Sequence, residues 1–279
     1  MPELPEVETI KNAVEKFVNG ARILSVQVRQ SRLREPVPTD FADKICNTRI
    51  TGFKRIAKYM ITELDNGLSI IWHFGMSGKI KTESLMPETP EKHDHIIICT
   101  DKGVLIYNDT RRFGLVTLCE SDKLKNHHCF SRIGLDPWDE NLTAEYLLAK
   151  LKNRKTAIKI ALLDQEIICG IGNIYASEIL YKSRILPQRL SESLTMDEAK
   201  KIIAYTREIL SDSIKAGGST IHDYKRPDGD IGYFQQKHCV YNKTGQCCPD
   251  CKCNIQKSGG IRKDIQGGRS TFYCPVLQK

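Results

Sequence analysis

Apolar residues recur at helical spacing near the start of the chain. Val7, Ile10, Val14, Phe17 and Val18 fall on one face and Gly20 is a natural stop, which predicts one amphipathic helix beginning almost at residue 1. From about Ile23 to Cys119 the pattern changes to short β-branched runs, and Asp65-Asn66-Gly67 and Asp101-Lys102-Gly103 separate apolar stretches as hairpin turns do. An antiparallel β-sandwich is expected there. A loop from Gly134 to Asn141, containing Pro137, leads into helical periodicity over Ala144 to Leu151, Thr156 to Leu163, Asn173 to Lys182 and Met196 to Lys215. Beyond Gly217-Gly218 the chain turns polar and glycine-rich, passes through aromatic residues and enters a cysteine cluster, the pattern of a connecting loop followed by a small β-hairpin module. The expected fold class is α+β and multidomain, with a helix-capped sandwich over 1–133, a helical region over 134–236 and a hairpin over 237–279.

Composition narrows the function classes. At 279 residues with 40% hydrophobic content, the chain can bury more than one ordinary core. The formal net charge of +8, from 42 Lys+Arg against 34 Asp+Glu, favours a polyanionic partner, because neutralising phosphates releases condensed counterions. No apolar run reaches the roughly 18 residues that would span a bilayer, and the acidic start PELPEVET lacks the basic and then apolar regions of a secretory signal. A cytoplasmic protein with no membrane partner is expected, and no feature suggests an oligomer. Five of the last six of the eleven cysteines lie between Cys239 and Cys253, with Cys274 beyond them, which in a reducing compartment reads as metal ligands before disulfides.

The chain start also carries candidate chemistry. Once Met1 is removed, Pro2 presents a secondary amine; α-amino groups titrate near about 7.7 to 8.0, so a useful fraction is neutral and nucleophilic at physiological pH. Glu3 and Glu6 stand beside it, placed for proton transfer or for positioning. The same residues also suit a capped first helical turn whose acids complement the helix dipole.

Seven segments in order resemble the formamidopyrimidine-DNA glycosylase family over nearly the whole chain, from Pro2 to Cys274. They are PELPEVET, RIAKYM with Lys58, HFGMSG from His73 to Gly78, EKHDH from Glu91 to His95, NDTRRFG from Asn108 to Gly114, GIGNIYASE from Gly170 to Glu178, and GGRSTFYC ending at Cys274. The resemblance implies a base excision repair enzyme that removes oxidised purines from damaged double-stranded DNA and cleaves the strand by β,δ-elimination. It implies that Pro2 forms a Schiff base, Glu3 donates the proton in base release, Lys58 acts in β-elimination and Arg269 in δ-elimination. Met76, Arg111 and Phe113 would fill the gap left by the flipped nucleotide, since unstacking a base costs a few kcal/mol that an apolar plug partly recovers. His73, His93, Arg154, Asn173 and Tyr241 would contact the DNA backbone, and His95 is read as structural. Gly170 and Gly172 let the backbone turn tightly into the helix at Asn173, as a helix-two-turn-helix requires. The segment His222 to Gln236 resembles the family's loop over 8-oxoguanine, and its Pro227-Asp228-Gly229 turn also suits a polar connector.

The cysteine tail departs from the family pattern. A zinc ribbon needs four ligands around one ion. Cys248, Cys251 and Cys274 supply three, but Leu277 stands where the family has a fourth cysteine, and GGIRKD from Gly259 to Asp264 reads as an insertion. Cys253, Cys247 or His238 could supply the fourth ligand, water could fill it, or the hairpin could fold without metal. The rival functions are an endonuclease VIII-type enzyme acting on oxidised pyrimidines and a non-catalytic binder of damaged DNA. The loop after Gly218 counts against the first, and intact Pro2, Glu3 and Lys58 count against the second.

Overall fold

The computed structural model describes residues 1–219, 232–251 and 254–279. The chain divides into two compact units, Met1–Ser131 with Ile214–Gln235, and Arg132–Ser213 with Gln236–Lys279.

The first unit opens with helix α1 (Leu4–Val18), in which Pro5 occupies the first turn where its missing N–H is harmless, and Leu4, Val7, Ile10, Val14 and Val18 are buried. Strands β1 (Ile23–Val28), β2 (Ile50–Ile56), β3 (Tyr59–Leu64), β4 (Leu68–His73), β5 (Lys79–Glu83), β6 (Asp94–Thr100), β7 (Gly103–Asn108) and β8 (Leu115–Glu120) follow, with a five-residue helix α2 (Phe41–Ile45) before β2. They form two antiparallel four-stranded sheets, ordered β1-β6-β7-β5 and β2-β3-β4-β8. Both expected hairpin turns join neighbouring strands, β3 to β4 and β6 to β7. The α1 face packs with Ile50, Met60, Trp72, Ile96, Ile98, Leu105 and Tyr107 in one core. On the opposite face of the β6–β7 pair, Ile97, Val104 and Ile106 form a second, smaller cluster. These two strands are covered on both faces, which is why they read as continuous apolar runs instead of alternating.

The second unit contains α3 (Ala144–Leu151), α4 (Ile158–Leu163), α5 (Asn173–Ser183), most of α6 (Met196–Lys215), a single turn α7 (Ile255–Ser258), and the hairpin β9 (Arg262–Gln266) and β10 (Arg269–Tyr273). The Thr143 hydroxyl caps α3 by accepting the Tyr146 N–H. Helix α4 starts two residues later than the pattern suggested, because Ala157 keeps an extended conformation and bridges Leu190. The hairpin turn is Gly267-Gly268, with φ of 55° and 71°, a left-handed pair that suits glycine. The GGIRKD stretch supplies two further left-handed glycines, Gly259 and Gly260, and then runs into β9.

Candidate active site and nucleic-acid interface

At the chain start Pro2 and Glu3 are buried, although Met1 before them is exposed. Glu3 is the N-cap of α1 in a reciprocal capping box, and its amide donates to Glu6 Oε2 at 2.9 Å. Glu6 is buried too, and its Oε1 accepts the Ser219 amide at 2.8 Å. The two acids thus differ in kind: Glu6 ties the first turn to the segment at Ser219, and Glu3 is the cap beside Pro2.

Lys58 is buried, but it does not lie within a strand as the RIAKYM pattern implied. Ile56 pairs with Tyr59, so Ala57 and Lys58 make a two-residue turn between β2 and β3, and Ala57 carries a left-handed φ of 52°. No glycine or asparagine advertises this turn, so the apolar pattern ran straight through it. Arg55 holds the turn from both sides: Nε donates to Glu8 of α1 at 2.8 Å and a terminal nitrogen to the Ala57 carbonyl at 3.2 Å. This guanidinium links the helix that follows Pro2 to the turn that carries Lys58, a role the sequence did not signal.

His73 ends β4, and its Nδ1 accepts the Gly75 amide at 3.1 Å. Burial, then the positive charges of Arg34 and Lys58, push its pKa down to about 3, so the ring is neutral at physiological pH. It can offer a hydrogen bond to a phosphate, not a charge. His93 is half-buried, its ring 6.1 Å from that of His95. His95 Nε2 lies 2.7 Å from the Asp109 carbonyl, the structural role expected of it.

Two loops, 74–78 and 109–114, pack backbone to backbone. A Cβ on Gly75 would come within 2.5 Å of the Phe113 carbonyl, and one on Gly114 within 1.7 Å of the Tyr107 hydroxyl. Asp109, fully buried, fastens the pair: its Oδ1 accepts Ser77 Oγ at 2.5 Å and the Arg111 amide at 3.2 Å, and its Oδ2 accepts the Gly114 amide at 2.8 Å. The result is a rigid base from which Met76 and Phe113 project with 45% and 47% of their surface exposed, and the Arg111 guanidinium sits 4.7 Å from the Phe113 ring centroid. Asp109 was missed because a lone acid in a polar motif looks like surface.

In the second unit Asn173 opens α5 directly after Gly172, with Gly170 at φ 88°. Its Nδ2 donates to the Ser270 carbonyl at 3.0 Å and to Tyr241 Oη at 3.4 Å, whereas its buried Oδ1 has no hydrogen-bond partner among the described residues. Tyr241 is held by Glu178, whose carboxylate accepts the amides of Cys239, Val240 and Tyr241 at 2.7 to 3.0 Å. Lys159, also fully buried, donates to the Ser270 carbonyl and Thr271 Oγ1, both at 2.8 Å, and so fixes β10 to α4. Neither Glu178 nor Lys159 was singled out from sequence; the one signal was a single charge inside an otherwise apolar helical run. Arg269, first in β10, is exposed and lines a shallow cavity of about 370 Å³ with Arg154, Thr156, Asp164 and Gly267. Arg154 also bonds Asp164 at 2.7 Å. Burial works against the Asp164 carboxylate, but the Glu166 amide and Arg154 outweigh it and hold its pKa below the ordinary range. Two of the cations expected at DNA therefore share one cavity.

The sulfurs of Cys248, Cys251 and Cys274 lie within 4.8 Å of one another, with Cys248 and Cys274 at 3.3 Å. Among the described residues no other histidine, cysteine or carboxylate joins them, so His238 and Cys247 do not complete the set; Cys253 lies outside the described residues. Leu277 packs against the same cluster as the cysteines and donates its amide to Cys274 Sγ at 3.4 Å. The donor set fits a soft divalent ion with three thiolates and one further ligand. Burial and then the Cys274 thiol push the Cys248 pKa up to about 12, a tendency a bound cation reverses.

A helix-capped β-sandwich with a buried N-terminal acid and exposed apolar tips, together with a helix-two-turn-helix and a cysteine hairpin, defines a DNA-processing class of protein. Residues 1–116 match the formamidopyrimidine-DNA glycosylase N-terminal domain, and residues 133–225 match that family's H2TH domain. Over the full length of both chains, the sequence is 40% identical to the formamidopyrimidine-DNA glycosylase of Rhodospirillum rubrum and 41% identical to that of Rickettsia bellii. The fold superposes with a TM-score of 0.90 at 33% identity, covering all of both chains, on a mutant Lactococcus lactis Fpg in complex with a Fapy-dG containing DNA. The same score, at 34% identity and 99% coverage, holds for the Lactococcus lactis Fpg with abasic-site DNA. Wild-type Lactococcus lactis Fpg with an oxidised pyrimidine containing DNA matches equally well, with a TM-score of 0.90 at 33% identity over all of both chains. The chain belongs to the formamidopyrimidine-DNA glycosylase family.

Proposed function

We propose that the protein is a bifunctional DNA glycosylase and AP lyase of base excision repair that excises oxidised purines from damaged duplex DNA. The observation that carries this reading is the pairing, in one unit, of a buried Pro2-Glu3 start with Met76 and Phe113 held out on the Asp109-clasped loops. The tips supply the plug that base extrusion requires, and the chain start supplies a nucleophile and an acid.

Once Met1 is removed, the Pro2 nitrogen attacks C1′ of the flipped nucleotide and the base leaves with a proton from Glu3. The amine then loses its proton, the sugar C1′–O4′ bond breaks with O4′ taking a proton as a hydroxyl, and the resulting ring-opened iminium acidifies the C2′ proton. Its removal, with Lys58 as the acting group, expels the 3′ phosphate, and a second elimination assisted by Arg269 expels the 5′ phosphate. Arg154, Asn173, Tyr241, His73 and His93 contact the DNA backbone, which positions the duplex without reading sequence, as a search for damage requires. Asn173 fits this role as the first residue of α5, where backbone amides without intrahelical partners can donate to a phosphate. The segment His222 to Gln236 is assigned to covering the lesion; its residues 222–231 lie outside the described residues.

Cys248, Cys251 and Cys274 would hold a structural zinc ion, which supplies a covalent cross-brace to the hairpin and takes no part in the reaction. Zinc binding and thiol chemistry of this kind belong to the reducing cytoplasm that holds the DNA.

Borohydride trapping on a duplex with one 8-oxoguanine opposite cytosine tests the reading. The processed protein should form a covalent adduct that Pro2→Gly abolishes, and that Glu3→Gln loses on the lesion by about a hundredfold or more but keeps on abasic DNA. No adduct on either substrate, with Met1 removed and DNA binding intact, would leave a damage-binding protein. A parallel thymine glycol duplex measures the pyrimidine preference.

A further inference from the structure

The 3-10 helix Ser121–Asn126 ends in a sequence that the DNA reaction does not use, His127-His128-Cys129. The chain turns there, with the amides of Phe130 and Ser131 both donating to the His127 carbonyl, at 2.8 and 3.0 Å. This turn gathers donors that strict sequence neighbours rarely share: a ring nitrogen of each histidine and Cys129 Sγ lie within 4.8 Å of one another. His128 also meets a carboxylate from far along the chain. His128 Nε2 is 3.5 Å from Cys129 Sγ and 3.2 Å from Glu35 Oε2.

The 3.5 Å between His128 and Cys129 is the spacing of neighbours in a coordination shell. With zinc to nitrogen near 2.1 Å and zinc to sulfur near 2.3 Å, adjacent donors of a tetrahedral site stand about 3.3 to 3.8 Å apart. Two imidazoles and a thiolate form a borderline set that selects zinc-like ions over calcium or magnesium, with the fourth position left to a further ligand. Supporting contacts are already present: the Tyr59 and His127 rings pack on Phe130 at 5.1 and 5.9 Å. The Cys129 amide reaches His127 Nδ1 at 3.3 Å, a contact weak enough to give way to a metal.

We propose that His127, His128 and Cys129 form a second metal site, separate from the cysteine hairpin, for a zinc-class divalent ion. The bland alternative is a solvated His128–Glu35 ion pair, which contributes little and has no use for Cys129 or His127. The proposal does not depend on the glycosylase reading.

The test is equilibrium dialysis of the full chain against free Zn²⁺ at about 0.1 mM, enough to fill any site of micromolar affinity, followed by metal analysis. Wild type should bind one equivalent more than a His128→Gln/Cys129→Ser variant of unchanged circular dichroism. The exposed single substitution His128→Gln should weaken that equivalent at least about tenfold, in line with the loss of one ligand. Cobalt substitution adds a spectroscopic readout, since Cys129→Ser should remove part of the thiolate charge-transfer absorption and leave the hairpin's share. Equal stoichiometry and superimposable cobalt spectra for wild type and variants would overturn the proposal.

Discussion

The two ends of the chain solve the same problem, burying polar groups, in opposite ways. Around the chain start, buried carboxylates are met by protein donors: Glu6 receives the amides of Glu3 and Ser219, and Asp109 receives Ser77, Arg111 and Gly114. In the cysteine hairpin the buried thiols have chiefly one another, and Leu277 packs against the same cluster as Tyr181, Val240 and Phe272. Glu178 meanwhile fastens residues 239–241 without any ion. The difference separates two kinds of order. The first region is preorganised by hydrogen bonds that the fold itself completes, whereas the second combines apolar packing with three clustered thiols among the described residues.

The strongest way to break this comparison is Asp109→Ala, which strands two amides and a hydroxyl in a dry site. A loss of about 2 to 5 kcal/mol in urea unfolding is expected, as for removal of one partner from a buried charged network. A change below about 0.5 kcal/mol would mean the loops are held by something else. Next is Leu277→Cys, which restores a fourth thiolate and should raise zinc affinity on the order of tenfold or more in chelator competition. Unchanged affinity would show that another donor already fills that corner. A third test is pH. His73 and His238 have folded pKa values pushed down to about 3 and about 4, chiefly by burial, against an unfolded value near 6.5. The unfolded chain therefore binds more protons in acid, so stability is flat above about pH 6.5 and falls below it, by up to about 1.4 kcal/mol per pH unit for each histidine, levelling near the folded values. His73→Asn should remove one share of that slope in unfolding measured between pH 7 and 5.

Much of this architecture was legible before the structure. The helical stripe from Val7 to Val18, the turns at Gly67 and Gly103, and the helix opening at Asn173 all appear where periodicity and glycine punctuation put them. Short elements were not legible: α2 is five residues long, too short to show a period, and the turn at Ala57-Lys58 uses a residue with no intrinsic preference for positive φ. The site was legible as motifs but not as mechanics. Asp109, Glu178, Lys159 and Arg55 act through partners up to 112 residues away in the chain, and a charge whose partner is remote in sequence looks like any solvated charge. The His127-His128-Cys129 turn escaped notice for the same reason, since Glu35 joins it from 93 residues upstream.

The two exposed tips also have a consequence for search. Keeping Met76 and Phe113 in water costs roughly 25 cal/mol for every Å² of apolar surface left wet, and the Asp109 clasp and its neighbouring glycines deny these side chains any retreat into the fold. The free protein thus stands permanently loaded, with the ordering of the loops already settled in folding. On the proposed function, a duplex that yields at a weakened base pair would gain both the dry contact and the prepaid order, and an intact duplex would gain neither. Selection of damage can begin in the free energy of the unoccupied protein, before any lesion is touched.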